Sequence, residues 1–330
     1  MFAHPSTALF SSFMVISIII TSSTNSWFIA WLALEINMLS FIPLLLKSNN
    51  KYTTEAALKY FLIQTIPSLI IITLILTSAS INQPYFIVML TALFLKIGAA
   101  PLHQWIPSMI EGLLWKPILT LLTMQKMPPF ILISFLLKMT STLNLFVPHL
   151  FIAFSAIMGS IGGILQTSLR KIMAFSSITH TAWFITAMTL TNNLWLTYLV
   201  LYLMMMIPLI YMFNYLQSFT ISDLLMKNKL LISVMLSLSI MSFSGLPPFT
   251  GFIPKLIVMQ DLMLQNTFIP MILLTSTFLS LFFYARMFMS NILLMTSLNI
   301  WKTTPYPVNI LLNSLNTLGL FLPSLMFTMM

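Results

Sequence analysis

The stretch Ser244–Lys255, SGLPPFTGFIPK, interrupts an apolar passage that runs from residue 230 to residue 263. Each proline in it lacks an N–H donor and leaves the carbonyl four residues earlier without its helical partner. The prolines are Pro247, Pro248 and Pro254, and the carbonyls are those of Phe243, Ser244 and Thr250. Free backbone groups inside a bilayer cost several kcal/mol each unless protein or water pairs with them. A break beside Lys255 at membrane depth therefore predicts a hydrated, protein-lined site.

The composition places the chain in a membrane. Its 330 residues are 59% hydrophobic and 6% charged, whereas a soluble protein carries about 25% charged residues. The apolar runs have the length of membrane-spanning helices and lack the alternating pattern of barrel strands. No hydrophilic stretch is long enough for a soluble domain, so we expect a single all-α integral membrane domain over residues 1–330.

We expect about eleven transmembrane helices, since a span needs about 20 apolar residues. The spans cover roughly residues 8–21, 26–46, 56–78, 84–107, 113–139, 144–165, 171–190, 194–217, 229–263, 268–292 and 308–328. The passage 229–263 is too long for one straight helix, which agrees with the break at its centre.

Charge and motifs exclude several classes of function. The net charge of +9 indicates basic loops that meet anionic lipid headgroups, because the basic residues are scattered and form no nucleic-acid-binding run. The absence of cysteine excludes disulfides, thiolate metal sites and iron–sulfur ligation. The four histidines show no metal-ligand spacing, and the chain has no GxGxxG or Walker-type loop. We therefore expect no metal, nucleotide or redox cofactor in this chain.

A second interrupted stretch, Phe94–Trp105 with the sequence FLKIGAAPLHQW, resembles the first. It also combines an apolar run, a lysine, small residues and a proline, and Pro101 frees the carbonyl of Ile97. Paired interruptions of this kind are typical of repeats with broken helices. Since the two stretches lie about five spans apart, we expect inverted five-helix repeats with discontinuous helices.

Four ionisable residues fall near the middle of apolar spans: Glu35, Lys96, Lys126 and Lys255. Each costs roughly 2.5–3.5 kcal/mol at a helix centre on insertion scales, so such residues usually have a partner or a task. Because burial disfavours the charged form, a buried lysine can take up and release a proton, and a nearby glutamate would stabilise its protonated form. The alternative is a static ion pair or a side chain that reaches the headgroups. That alternative weighs more for the residues nearer span ends, Lys59, Lys138 and Arg286.

Prolines accompany all three central lysines. Lys126 precedes Pro128 and Pro129, which free two further carbonyls. Freed carbonyls can bind water or an ammonium group, so we interpret the lysines as three hydrated stations, although proline could also merely accompany tolerated polar positions. His180, within SSITHTAW, is more often a hydrogen-bonded packing residue in such a setting, but it is also suited to relay protons.

Six motifs in this order resemble the chain 2 family of NADH–ubiquinone oxidoreductase, the mitochondrially encoded, antiporter-like membrane subunits of respiratory complex I. They are WLALEINMLSFIPLL, EAALKYFLIQ, FLKIGAAPLHQWIP, LLTMQKMPPF, GSIGGILQTSLRKIMAFSSITHTAW and SGLPPFTGFIPK. The resemblance covers about residues 8–290. It implies inverted five-helix repeats and a proton-translocating module driven by electron transfer from NADH to ubiquinone elsewhere in the complex.

The resemblance also implies roles for matching positions. Glu35 and Lys96 would form a modulating pair. Lys126 would be the central relay and Lys255 the exit-side station, with His180 a further candidate relay. NADH, FMN, iron–sulfur clusters and ubiquinone would reside in partner subunits.

The implied partners are neighbouring antiporter-like and small membrane subunits, accessory subunits and lipids such as cardiolipin, with no nucleic acid. The implied location is the mitochondrial inner membrane, which the chain would cross many times. Two other functions fit the residues alone: a stand-alone secondary cation/proton antiporter, and a structural spacer whose charges form fixed ion pairs.

Overall fold

The computed structural model describes residues 5–47, 50–77, 83–138, 145–190, 194–226, 230–247, 249–265 and 268–292. Over these ranges the chain is helical and forms no β-strand; one isolated bridge joins Ser168 and Thr220. The all-α prediction is therefore confirmed for the described part of the chain. The predicted span 308–328 lies outside the described residues.

The chain divides into two compact units, Met1–Ser155 and Ala156–Met330. The helices of the first are α1 Pro5–Ser23, α2 Trp27–Leu46, α3 Lys51–Thr77, α4 Gln83–Ile97, α5 Trp105–Ile110, α6 Trp115–Leu122 and α7 Met127–Lys138. A short 3₁₀ turn, Met124–Lys126, separates α6 from α7. Helix α8, Phe146–Ile164, contains the boundary between the units.

The second unit continues with six further helices among the described residues. They are α9 Leu169–Leu190, α10 Leu194–Leu216, α11 Ile221–Met226, α12 Leu230–Ser244, α13 Phe252–Gln265 and α14 Phe268–Ile292. In the described ranges, seven helical segments are long and apolar enough to cross a membrane: 5–23, 27–46, 51–77, 115–138, 146–164, 194–216 and 268–292. The expected total of about eleven spans stays a prediction.

Helix α3 shows how these elements suit a bilayer. Its outer face carries leucines that are 61–75% exposed, at the helical spacing of Leu58, Leu62, Leu69 and Leu76. The opposite face buries polar side chains, Tyr60, Gln64 and Ser68, at intervals of one turn. A helix with leucine outside and polar groups inside is stable when lipid surrounds it, and it supplies hydrogen-bonding groups to the interior.

Both predicted interruptions are present, and each begins with a glycine in the left-handed region. Gly98 follows α4 with φ of 77°, and Gly245 follows α12 with φ of 79°. The N–H groups of Gly98 and Ala99 both bond to the carbonyl of Phe94, at 2.9 and 3.0 Å. Glycine ends a helix in this way because other residues are strained at positive φ. In both stretches, therefore, a glycine with positive φ ends the helix and begins the turn.

Candidate functional site

Lys96 and Lys126 line the same cavity in the first unit. Lys96 lies in the last turn of α4 and is 7% exposed, and Lys126 ends the 3₁₀ turn and is 5% exposed. The remaining polar side chains in the cavity wall are those of Asn37, Tyr60, Gln64 and Gln125. The cavity volume is about 20 Å³. A cavity of about 10–15 Å³ holds one water molecule. The cavity is therefore polar and has room for one or two water molecules.

The 3₁₀ turn places Lys126 in the cavity wall. Helix α6 ends at Leu122, and Pro128 cannot donate to the carbonyl of Met124. The N–H of Met127 bonds to that carbonyl instead, which tightens the chain for one turn before α7 begins. The sequence predicted that the proline pair frees two carbonyls beside Lys126 within one span, and the structure breaks that span there with this turn.

Side chains from other segments pair with the last carbonyls of α4. The Nε1 of Trp105 donates to the carbonyl of Leu95, and the Nε2 of Gln64 donates to that of Lys96, both at 3.2 Å. The sequence pointed to the carbonyl of Ile97, one residue further on. The carbonyl of Leu95 also accepts the N–H of Gly98 at 3.1 Å. The bond from Gln64 pairs a carbonyl at the helix end, where helical donors run out, and holds the backbone of Lys96 against α3.

A side-chain network borders the cavity and was missed by the sequence analysis. The hydroxyl of Tyr60 donates to Oε1 of Gln125 at 2.8 Å, and Nε2 of Gln125 lies 3.1 Å from Oδ1 of Asn37. The same nitrogen lies 3.3 Å from the sulfur of Met14. Two features of the sequence could have indicated this network: the polar stripe on α3, and the amide side chain of Gln125 next to Lys126. Both lie inside apolar spans. The network ties the 3₁₀ turn to α1, α2 and α3.

Glu35 lies on α2, half-buried, and interacts electrostatically with both Lys96 and Tyr60. Its Oε1 is buried and has no hydrogen-bond partner among the described residues. No direct ion pair joins Glu35 to Lys96, both of which the structure describes. The carboxylate of Glu35 therefore interacts with the amine of Lys96 without direct contact, and the two do not form a fixed ion pair.

Lys255 occupies the interrupted passage of the second unit. Its Nζ donates to the carbonyl of Ser244 at 2.9 Å, one of the carbonyls that the prolines were expected to free. A Cβ added to Gly245 would lie 2.6 Å from this Nζ. The absence of a side chain at Gly245 therefore allows the lysine to reach across the break.

His180 is buried in the second unit, at 3% exposure on α9. Its Nδ1 lies 2.9 Å from the hydroxyl of Tyr198, and its ring packs against Tyr202 and Phe243. The hydrogen bond and ring contacts agree with the packing interpretation of this histidine. Its relay role stays a prediction.

The lysines and arginine nearer span ends have other tasks. Lys59 forms an exposed ion pair with Glu55 at 2.6 Å, one turn away on α3. Arg286 donates to the carbonyl of Ile164 at 3.1 Å and also to that of Gln166, so it pairs with groups at the end of α8. Lys138 is exposed and lies 5.6 Å from the ring centroid of Phe135. These contacts agree with structural roles.

The described residues contain no group of three His, Asp or Glu side chains that could hold a metal ion. The chemistry that these two sites offer is proton binding by amines, a carboxylate and an imidazole, next to amide and hydroxyl groups. Lysines at helix breaks inside a polytopic helical membrane protein are typical of the class of proteins that move cations across a bilayer.

Comparisons with known proteins give the family. The transmembrane family described as NADH:quinone oxidoreductase/Mrp antiporter matches residues 71–282. NADH-ubiquinone oxidoreductase chain 2 of Anopheles gambiae is 37% identical over 98% of both chains. The chain belongs to this transmembrane family and, within it, to the family of NADH-ubiquinone oxidoreductase chain 2. The resemblance found in the motifs is thereby confirmed.

Solved structures share the fold. A chain of respiratory complex I from Thermus thermophilus with bound aureothin superimposes with a TM-score of 0.78 at 20% identity, covering 98% of this chain and 78% of that one. A chain of the Mrp complex from Dietzia sp. DQ12-45-1b gives 0.71 at 16% identity, covering 90% of this chain and 61% of that one. At such identities the likeness concerns the fold alone.

Proposed function

We propose that the chain is a proton-translocating membrane subunit of respiratory complex I, in which proton transfer is coupled to NADH-to-ubiquinone electron transfer in other subunits. The relatives in the chain 2 family support this role. The structural observation that carries it is the polar cavity shared by Lys96 and Lys126, beside a carboxylate that forms no direct ion pair with Lys96.

The cavity gives the two amines a means of exchanging protons. A protonated amine in an apolar interior repels a second one strongly, because the dielectric constant is low. Because opposite charges attract, an ionised carboxylate at Glu35 would stabilise a protonated Lys96. If this attraction were lost, Lys96 would hold its proton less tightly. The proton could then pass from Lys96 to Lys126 through water in the cavity. In this proposal Lys255 is the exit-side station in the second unit, and His180 is a further candidate relay.

The proposal includes the finer architecture of the family: about eleven spans arranged as inverted five-helix repeats. The matching left-handed glycines after α4 and α12 support it, because each ends a helix beside a lysine, Lys96 being buried and Lys255 half-buried. Broken helices at corresponding places of two repeats are typical of transporters with a site near the bilayer midplane.

In this proposal the redox chemistry takes place in partner subunits. NADH, FMN, iron–sulfur clusters and ubiquinone would be bound by other subunits, and this chain would contribute to an NADH:ubiquinone reductase without a redox site of its own. Its neighbours would be antiporter-like, small membrane and accessory subunits, together with lipids such as cardiolipin. The site of action would be the mitochondrial inner membrane.

A stand-alone cation/proton antiporter is the second candidate, favoured by the fold shared with the Mrp complex chain. Purification and reconstitution separate the two. We expect the chain to purify with NADH oxidation activity, and the complex in liposomes to move protons on addition of NADH and a quinone. A monomeric chain that exchanges Na⁺ for H⁺ in liposomes by itself would favour the antiporter and contradict the proposal.

A further inference from the structure

Arg286 in the second unit carries a charge that no described carboxylate neutralises. It lies half-buried on α14, and its guanidinium donates to the carbonyls of Ile164 and Gln166. These bonds use two of the five N–H groups of a guanidinium. Its Nε is buried and has no hydrogen-bond partner among the described residues, and Arg286 forms no ion pair with any of them. The arginine therefore keeps both its net charge and unused donors.

The helix ends around Arg286 indicate its depth in the membrane. Helix α8 is long and apolar enough to cross a bilayer, and it ends at Ile164, whose carbonyl Arg286 binds. The two helices also meet directly, since a Cβ added to Gly163 would lie 2.8 Å from Cδ1 of Phe283 on α14. A spanning helix ends where the hydrocarbon core meets the lipid headgroups. Arg286 therefore lies at the level of the headgroups.

The surface beside Arg286 is apolar and open. Phe278 and Phe282 precede Arg286 on α14 at intervals of four residues, which places the three side chains on one side of the helix. Phe278 is 69% exposed and Phe282 is 60% exposed. Leu165, between the two residues whose carbonyls Arg286 binds, is 76% exposed. Large exposed apolar side chains beside a cation at this depth are suited to the acyl chains of a lipid.

The charge around this end of the second unit is mainly positive. The connection between α8 and α9, which Arg286 holds, is paired through backbone bonds with the connection between α10 and α11. Arg170 and Lys171 lie in the first turn of α9, and the guanidinium of Arg170 lies 4.6 Å from the ring centroid of Phe219. Asp223 on α11 accepts two backbone N–H groups with its Oδ2. Among the described residues, these two connections thus bring together three basic side chains and one acidic side chain.

We propose that Arg286 binds the phosphate of an anionic diacyl phospholipid whose acyl chains lie along Phe278, Phe282 and Leu165. A guanidinium is suited to phosphate because two of its N–H groups can bond to two phosphate oxygens at once. The open apolar surface favours a lipid over free inorganic phosphate, which would gain nothing from it. The excess of basic side chains favours an anionic lipid over a zwitterionic one. This inference goes beyond the proposed function, because lipid binding here does not depend on proton transfer.

The test uses the assembled complex in nanodiscs that contain a photoreactive phospholipid with a diazirine in one acyl chain. Anionic phosphatidylglycerol is compared with zwitterionic phosphatidylcholine at equal fraction, and cross-linked peptides are mapped by mass spectrometry. In the unmodified complex we expect cross-links to residues 161–166 and 278–289. We expect their yield to be roughly fivefold higher for the anionic lipid, which corresponds to the attraction of one basic residue. Excess inorganic phosphate at constant ionic strength should not lower this yield.

Variants at Arg286 locate the headgroup. Arg286→Gln should lower the yield for phosphatidylglycerol to that for phosphatidylcholine. Arg286→Lys keeps the charge but lacks the planar pair of donors, so its yield should lie between those of Arg286→Gln and the unmodified complex. Lys138→Gln is the matched control, because Lys138 is an exposed basic residue at the end of α7. This control should leave the yield at residues 161–166 and 278–289 unchanged.

Four results would each overturn the inference. They are equal yields for the two lipids in the unmodified complex, an unchanged yield in Arg286→Gln, competition by inorganic phosphate, and no cross-links to this surface. If Arg286→Gln does not assemble, the comparison of the two lipids in the unmodified complex still decides. Proton pumping driven by NADH is measured on the same unmodified complex. A complex that pumps without binding the lipid here would refute the lipid site and leave the proposed function standing.

Discussion

A lysine inside a membrane protein moves protons only if water or another acid–base group can reach its amine. Lys126 meets this condition best, because it is buried and shares a polar cavity with Lys96. Its backbone is held beside the cavity by the 3₁₀ turn. A methionine at this position would retain most of the volume and remove the proton-binding group.

We therefore expect Lys126→Met to lower both NADH-driven proton pumping and coupled turnover by roughly tenfold or more. The lower limit of this decrease is smaller than the loss of about 10²–10⁴-fold that is typical for a positioned acid–base group. We set it lower because water can carry part of the proton transfer. Lys138→Met is the matched control, since Lys138 is exposed at the end of α7. Equal rates for the two variants in assembled, reconstituted complex would contradict the assignment of Lys126 and favour the structural spacer.

Gly245 gives a second test, because its site combines a positive φ with contact to a lysine. Gly245→Ala should cost about 1–2 kcal/mol for the left-handed backbone, and its Cβ, 2.6 Å from Nζ, should displace Lys255 from the Ser244 carbonyl. We expect slower proton pumping in liposomes. In a Lys255→Ala background the same change should slow pumping no further. An equal fractional loss in both backgrounds would show that backbone strain alone is responsible.

The sequence predicted the ionisable groups inside the apolar spans but not all of their partners. Lys96, Lys126 and Lys255 stood out because a charge in an apolar span is costly and rare. Proline chemistry pointed to the Ser244 carbonyl, and in the structure this carbonyl accepts a hydrogen bond from Lys255. Tyr60, Gln125 and Asn37 lie on separate segments, and no local pattern shows that three such side chains meet.

The helix breaks are held by side-chain hydrogen bonds instead of continuous helical backbone bonds. The turn between α6 and α7 is held by the Tyr60–Gln125–Asn37 network rather than by a continuous helix. The same turn carries Lys126 into the cavity. The network should therefore control both the stability of the turn and the position of the amine.

Gln125→Leu tests this coupling. It leaves Tyr60 and Asn37 without their shared partner, and each unpaired buried group costs roughly 1–3 kcal/mol. We expect faster hydrogen–deuterium exchange over residues 123–138 and reduced pumping in the assembled complex. The control is Gln104→Leu, since Gln104 is exposed in the loop before α5. Unchanged exchange in Gln125→Leu would show that the network does not hold the turn.

Helix positions were predicted well where the apolar pattern is long and uninterrupted. Helices α2, α8, α10 and α14 begin and end within a few residues of the expected spans. Interruptions were predicted by glycine and proline, yet the separate short helices α5 and α11 were not. The start of α11 is set by local capping bonds, which Asp223 Oδ2 accepts from the N–H groups of Phe219 and Thr220, 2.9 Å each.

Apolar outer faces, together with polar groups set into a largely apolar core, make the described part of the chain a scaffold for ionisable groups. The first unit contains the shared lysine cavity, and the second contains the Lys255 break and the buried His180. Composition was enough to predict a helical membrane protein. The arrangement of the units in a working complex depends on contacts that one sequence does not encode locally.

The central claim is that buried lysine amines change their charge during turnover. Isotope-edited infrared difference spectroscopy on the reconstituted complex, with labelled lysine, measures this directly. We predict that NADH and quinone cause a labelled ammonium band to decrease and recover, and that this signal is reduced in Lys126→Met. The account is contradicted if the complex turns over and pumps protons while no labelled lysine band changes.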